Sequence, residues 1–214
     1  MKRLALAVIS LILVAYPSGA QQGFIWDVNY AVRDWSQNLS GGKQFPLDDY
    51  LQFAPAIAYA VAIPFGGGDY SWQERCCVLG TSFASMMALT HGLKRITGVE
   101  RPNGKNKYSF PSAHTAMAFM GAELVRREYG PWWGLAAYSS AAVTGFLRIY
   151  NNWHWTGDVL AGAGFGILSA CIGYWLLPWE REVLKLDSGN TTISAAPSYH
   201  PALNAPLVSF TLLF

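Results

Sequence analysis

The chain has 214 residues, of which 13% are charged and 52% hydrophobic, with nine Trp, eleven Tyr and eleven Phe. Soluble domains carry about 25% charged residues, so the choice narrows to a membrane protein or a very apolar bundle, and intrinsic disorder is excluded. A net charge of +2 offers no basic field for a nucleic acid, and three cysteines, two of them adjacent at Cys76 and Cys77, exclude a small disulfide scaffold.

The amino terminus carries Lys2 and Arg3, then an apolar run from Leu4 to Tyr16, then the small residues Ser18 and Ala20 ahead of Gln21. This order predicts a secretory signal peptide over 1–20. An uncleaved signal anchor is the alternative, and both place Gln21 outside the cytoplasm. Residues 21–47 follow as a polar, aromatic extracytoplasmic segment with Trp26 and Trp35.

Five apolar stretches come next, at 49–64, 76–93, 112–125, 131–149 and 157–178. A spanning helix needs about 20 apolar residues, within a range of roughly 17–25, which the second, fourth and fifth meet. The first and third are short, and Glu123 sits in the third. Strict alternation is absent and Ala, Leu and Met are abundant, so helices are expected. Pro64, the loop Gly98 to Pro111, and Gly130-Pro131 separate them. The expected fold is therefore all-α: a helical bundle, integral to a membrane, with five spans after the signal peptide. Gly162 and Gly166 form a G-x-x-x-G pair that suits close helix approach.

Alternating crossings from Gln21 put Arg75, Arg126, Arg127, Arg181 and Lys185 inside, and 94–111 and 148–158 outside. The positive-inside rule is only weakly met, with seven of fifteen cations inside. Trp26, Trp35, Trp153 and Trp155 fall near one interface, and Trp72, Trp132, Trp133 and Trp179 near the other. The bundle is assigned to 48–178 and a tail to 179–214, whose part from 186 onward is rich in Ser, Thr, Pro and Asn and reads as a short strand or hairpin.

Three blocks carry chemistry, and all fall on the outer side. Lys94 and Arg101-Pro102 place two cations around a stiffened loop, which suits a tetrahedral anion. Pro111-Ser112-Ala113-His114 opens the third helix, where backbone N–H groups and the helix dipole favour phosphate and His114 can donate a proton. Arg148, His154 and Asp158 close the set. A carboxylate four residues after an imidazole can fix its tautomer and leave the other nitrogen nucleophilic. His91 and His200 read as ordinary polar groups.

The segments KRITGVERP, PSAH and LRIYNNWHWTGD together resemble the signature of the type 2 phosphatidic acid phosphatase superfamily, which also contains class A acid phosphatases and vanadium haloperoxidases. The resemblance covers about 48–178. Ala113 stands where the family has Gly, and Leu147 where it has Ser. The resemblance implies that His154 is a nucleophile forming a phosphohistidine, that Asp158 orients it, and that His114 protonates the leaving alcohol. It implies that Lys94, Arg101, Ser112, Ala113 and Arg148 hold the phosphoryl oxygens, with no metal and no cofactor. The substrate expected is a lipid phosphate or diphosphate, hydrolysed at a bacterial inner membrane with the site facing the periplasm. A soluble exported acid phosphatase and a non-catalytic membrane protein are the alternatives.

Overall fold

A computed structural model describes residues 23–65, 69–186, 192–200 and 205–213. The expected signal peptide lies outside them. Among the described residues the helices are α1 (Phe24–Ser40), α2 (Asp48–Leu51), α3 (Ala54–Ala62), α4 (Trp72–Thr97), α5 (Ala113–Tyr129), α6 (Pro131–Tyr150) and α7 (Thr156–Leu184), with a 3-10 turn at Ile63–Phe65. The tail forms an antiparallel hairpin of β1 (Thr192–His200) and β2 (Ala205–Leu213), in which Thr192 faces Leu213 and His200 faces Ala205.

Five passes run between two ends of one bundle, as the apolar stretches suggest, but the first pass is not one helix. Pro55 lies in the first turn of α3, where its missing N–H is no loss, so the helix restarts there after α2. Pro64 falls in the 3-10 turn that follows α3. The broken segment still traverses the bundle. Asp48 meets Arg148 at one end, Ala56 lies against Gly121 midway, and Ile63 accepts a hydrogen bond from Arg75 at the other. The last pass is longer than expected: α7 continues through Pro178 to Leu184, beyond the boundary at 178. Leu177 is buried on one side of that proline, and Glu180 accepts a hydrogen bond from Thr81 on the other. Packing therefore holds the helix across the lost backbone bond.

Among the described residues, α4 and α7 are long and apolar enough to cross a membrane by length and composition. The bundle exterior is studded with exposed Trp132, Leu135, Phe146, Leu160 and Trp179. The core between helices is built from Tyr59, Val78, Met86, Met120, Leu124 and Leu177.

Charges inside the bundle are paired, as burial demands. Glu123 is 3% exposed and accepts from Arg126, Arg127 and Tyr138, each at 2.7 Å. Arg75 and Glu128, both buried, pair at 2.7 Å. Arg181 pairs with Glu74 close by. These cations gather at the end opposite the three sequence blocks.

The small residues of α7 bring it against α5. A Cβ added to Gly162 would sit 2.5 Å from the Ser112 carbonyl oxygen, and one on Gly166 would collide with the Ala116 carbonyl. No side chain fits there without parting the helices. Gly166→Leu is expected to cost about 3 kcal/mol or more through overpacking. Gly92→Leu, at a position with nothing within 4 Å, should cost far less. Thermal unfolding of both variants in detergent checks the contrast.

Candidate active site

The first block folds back on its own helix. Gly98 takes a left-handed conformation with φ 57°, which glycine adopts without steric cost, and so ends α4. The returning loop is closed by Ser109 N–H donating to the Val99 carbonyl at 2.9 Å and by Arg101 N–H donating to the Asn106 carbonyl at 3.0 Å. Lys94 is buried, and its ammonium donates to the carbonyls of Tyr108 at 2.8 Å and Ser109 at 3.2 Å. The lysine thereby fixes the loop that carries Arg101.

The second and third blocks are tied together at Asp158, which is fully buried. One of its oxygens lies 3.3 Å from His154 Nδ1, accepts the Trp155 N–H at 2.9 Å, and accepts the Ser109 hydroxyl. Its backbone carbonyl accepts the Ser112 N–H at 3.0 Å. With Nδ1 engaged, Nε2 is the nitrogen of His154 left for chemistry. Burial pushes the His154 imidazole down to about 3, against the opposing pull of Asp158, while Lys94 and Arg148 lower it further. The ring is therefore neutral at physiological pH.

His154, His114, Ala113, Lys94 and Arg101 share the wall of one cavity of about 470 Å³. His91, Arg95, Asn106 and Tyr108 complete that wall. Ala113 is the first residue of α5, a helical position that alanine occupies as readily as the glycine of the family pattern. Ser112 is not part of the wall. It is buried and caps α5, accepting from Thr115 N–H at 3.4 Å and Thr115 Oγ1 at 2.9 Å.

Arg148 stands beside the cavity rather than in its wall. Its Nη1 donates to Asp48 Oδ2 at 2.6 Å and to Asp49 Oδ1 at 3.2 Å. Asn151 donates to the other Asp48 oxygen at 2.8 Å and to the Phe45 carbonyl at 2.8 Å, which anchors the acidic segment. Asp49 Oδ1 also lies 3.2 Å from His114 Nε2. Arg148 Nε and Arg101 Nε are buried and have no hydrogen-bond partner among the described residues. Both guanidinium groups lie over the Trp153 ring, at 5.4 and 5.2 Å from its centroid, with the Lys105 ammonium at 4.3 Å. Such stacking holds cations without consuming their hydrogen-bond donors.

Several of these residues escape a reading of the sequence. His91 reads as an ordinary polar group but lines the cavity. Trp153 reads as part of an interfacial belt but organises three cations. Asp48 and Asp49 carry one available signal: two adjacent acids at the edge of an apolar stretch, on the side where unpaired cations accumulate. Helix α1 contributes as well. Asn29 accepts the Gly157 N–H at 3.0 Å, capping α7 where Trp155 offers no acceptor. Trp26 and Tyr30 pack edge-on to Trp155, with centroids 5.4 and 5.2 Å away.

Chemically, a neutral imidazole backed by a carboxylate shares the wall of one cavity with a second imidazole and with Lys94 and Arg101. Cations and imidazoles that share one cavity suit an anion.

The model of the PAP2 superfamily matches residues 75–182. A protein of Porphyromonas gingivalis named lipid A 1-phosphatase is 36% identical over 71% of this chain, and the match spans 35% of that relative's length. A lipid A 1-phosphatase of Helicobacter pylori is 32% identical over 61% of this chain and 70% of its own. Two crystal structures share the fold. Aquifex aeolicus LpxE has a TM-score of 0.51 at 21% identity, covering 66% of this chain and 93% of that one. A transmembrane PAP2-type phosphatidylglycerolphosphate phosphatase of Bacillus subtilis has a TM-score of 0.59 at 18% identity, covering 87% and 98%. Three motif blocks converging on one end of an all-helical bundle, and a family match over half of the chain, lead to one statement of kinship: the chain belongs to the PAP2 superfamily.

Proposed function

We propose that this protein is a membrane-embedded phosphatase that removes phosphate from a lipid head group through a phosphohistidine at His154. The observation that carries this reading is the His154–Asp158 pair facing a cavity shared with His114, Lys94 and Arg101. The relatives named lipid A 1-phosphatase favour a phosphorylated glycolipid as substrate. The cavity, at about 470 Å³, has room for a head-group sugar beside the phosphoryl group, and Asn106, Tyr108 and His91 offer it hydrogen bonds.

The reaction runs in two steps. His154 Nε2 attacks phosphorus, the bond from phosphorus to the ester oxygen breaks, and His114 gives its proton to the departing oxygen. Asp158 stabilises the positive charge that His154 acquires. Water then attacks phosphorus, His114 takes its proton, the bond to His154 breaks, and phosphate leaves with both histidines restored. Lys94, Arg101 and Arg148 hold the phosphoryl oxygens, with the backbone N–H groups at the start of α5. Ser112 supports them indirectly, by capping that helix. The donors around the phosphoryl position are cations and imidazoles, a set that serves an anion rather than a metal ion.

The five passes are read as five membrane crossings, the first made by the broken segment Asp48 to Phe65. The exposed apolar side chains on the bundle exterior support immersion in lipid rather than the soluble exported alternative. With the signal peptide as expected, the site opens to the periplasmic side of the inner membrane. The cations clustered with Arg75, Arg126 and Arg127 then face the cytoplasm.

His154→Ala is expected to lower phosphate release from a lipid phosphate at least about a thousandfold while the protein stays folded. Asp158→Asn should cost less, because the imidazole remains. Assays of both variants in detergent, with and without EDTA, measure this, and EDTA should leave the wild-type rate unchanged. For sidedness, a reporter active only in the periplasm is expected to be active when fused after Lys105 and silent when fused after Arg127. The reverse pattern would place the site in the cytoplasm.

A further inference from the structure

The two acids that meet Arg148 differ in a way that divides their roles. Asp48 is 1% exposed and held on both oxygens, by Arg148 and by Asn151. The Asp49 side chain is 58% exposed and sits in α2, which has only four residues. Asp48 is thus a fixed counter-charge that orients the guanidinium, whereas Asp49 can swing into solvent.

The position of Asp49 is informative. A single carboxylate oxygen lies 3.2 Å from Arg148 Nη1 and 3.2 Å from His114 Nε2. These are the two groups assigned to phosphoryl binding and to leaving-group protonation. The oxygen occupies the point where their donors intersect, and it carries the same kind of charge as a phosphoryl oxygen. Because the carboxylate is tethered, it is present at the site at high effective concentration. A phosphate entering the site must displace it or face its charge.

We propose that Asp49 is an intramolecular competitor for the phosphate site, which weakens the hold on free phosphate and returns to Arg148 and His114 as the product leaves. This rests on the phosphatase reading above. Its chemistry concerns any phosphoryl anion that lacks a lipid anchor. Displacing the carboxylate costs the same for every anion. A lipid phosphate recovers that cost through its head-group contacts and through confinement to the membrane. Inorganic phosphate has only the cations to hold it, so it is released. No covalent step is involved, since the carboxylate exchanges hydrogen bonds with the product.

The test uses the full chain in detergent. Competitive inhibition by inorganic phosphate and by orthovanadate is measured for wild type, Asp49→Asn, Asp49→Ala, Asp48→Asn and the distant control Asp34→Asn, with direct calorimetric titration of phosphate alongside. Asp49→Asn and Asp49→Ala are expected to bind both anions about tenfold more tightly than wild type. Asp48→Asn should bind them more weakly, because Arg148 loses its fixed partner, and Asp34→Asn should not differ from wild type. The opposite signs at adjacent acids separate competition from a general change of charge or of folding. Unchanged or weaker binding in both Asp49 variants, with wild-type turnover intact, would overturn the role of Asp49 alone. Absence of lipid phosphatase activity and of phosphate binding in wild type would overturn the phosphatase reading and this inference together.

Discussion

The Asp158 carboxylate is the point on which the rest of the site depends. It is fully buried, and one oxygen receives the Ser109 hydroxyl, the Trp155 N–H and the His154 ring. A buried carboxylate is tolerable only when its oxygens are satisfied and a positive charge is near. Here the satisfying groups come from the loop after α4 and from the start of α7, so meeting the needs of one charge draws the first and third blocks together. The Ser112 N–H, donating to the Asp158 carbonyl, adds the second block at the head of α5. Assembly of the site and burial of this acid are one event.

Around that anchor, charge is arranged in layers. Lys94 is spent on holding its own loop, and Arg148 is half spent on Asp48, so neither is a bare cation awaiting substrate. On the reading proposed above, a phosphoryl group meets the other edge of Arg148, the Arg101 guanidinium, the remaining donor of Lys94 and the head of α5. Trp153 offers both arginines a ring face, which takes up none of their hydrogen-bond donors. At the opposite end of the bundle, charges are paired within the protein. Acids and arginines there neutralise one another directly, as Glu123 does with Arg126 and Arg127. One end of the fold is therefore balanced internally, and on the proposed reading the other is balanced by a phosphoryl group.

Much of this was legible in the sequence, because helices and motif spacings are local patterns. The stretches at 76–93, 131–149 and 157–178 lie within helices, 112–125 does so from Ala113 onward, and the Gly162 and Gly166 pair does bring α7 onto α5. The spacing of His154 and Asp158 foretold their contact. Features set by distant contacts were not legible. Asp48 and Arg148 meet across 100 positions, and Asn29 caps Gly157 across 128. Neither leaves a periodic trace. The stretch 49–64 looked like one span because hydrophobicity does not report that Pro55 restarts a helix. The boundary at 178 falls short of the end of α7 because apolar composition does not report the packing that carries the helix past Pro178. His91 lies three residues before Lys94 on α4, a local spacing that puts both on one face, but only the fold shows that this face borders a cavity.

The central claim is that His154 carries the phosphoryl group during turnover, and a trapping experiment tests it most directly. The enzyme is mixed with a lipid phosphate labelled at phosphorus, quenched in alkali within milliseconds, digested and sequenced by mass spectrometry. The account predicts a label that is stable in alkali, labile in acid, and located on the peptide containing His154. Turnover at the wild-type rate with no such label, or a label on any other residue, would contradict it.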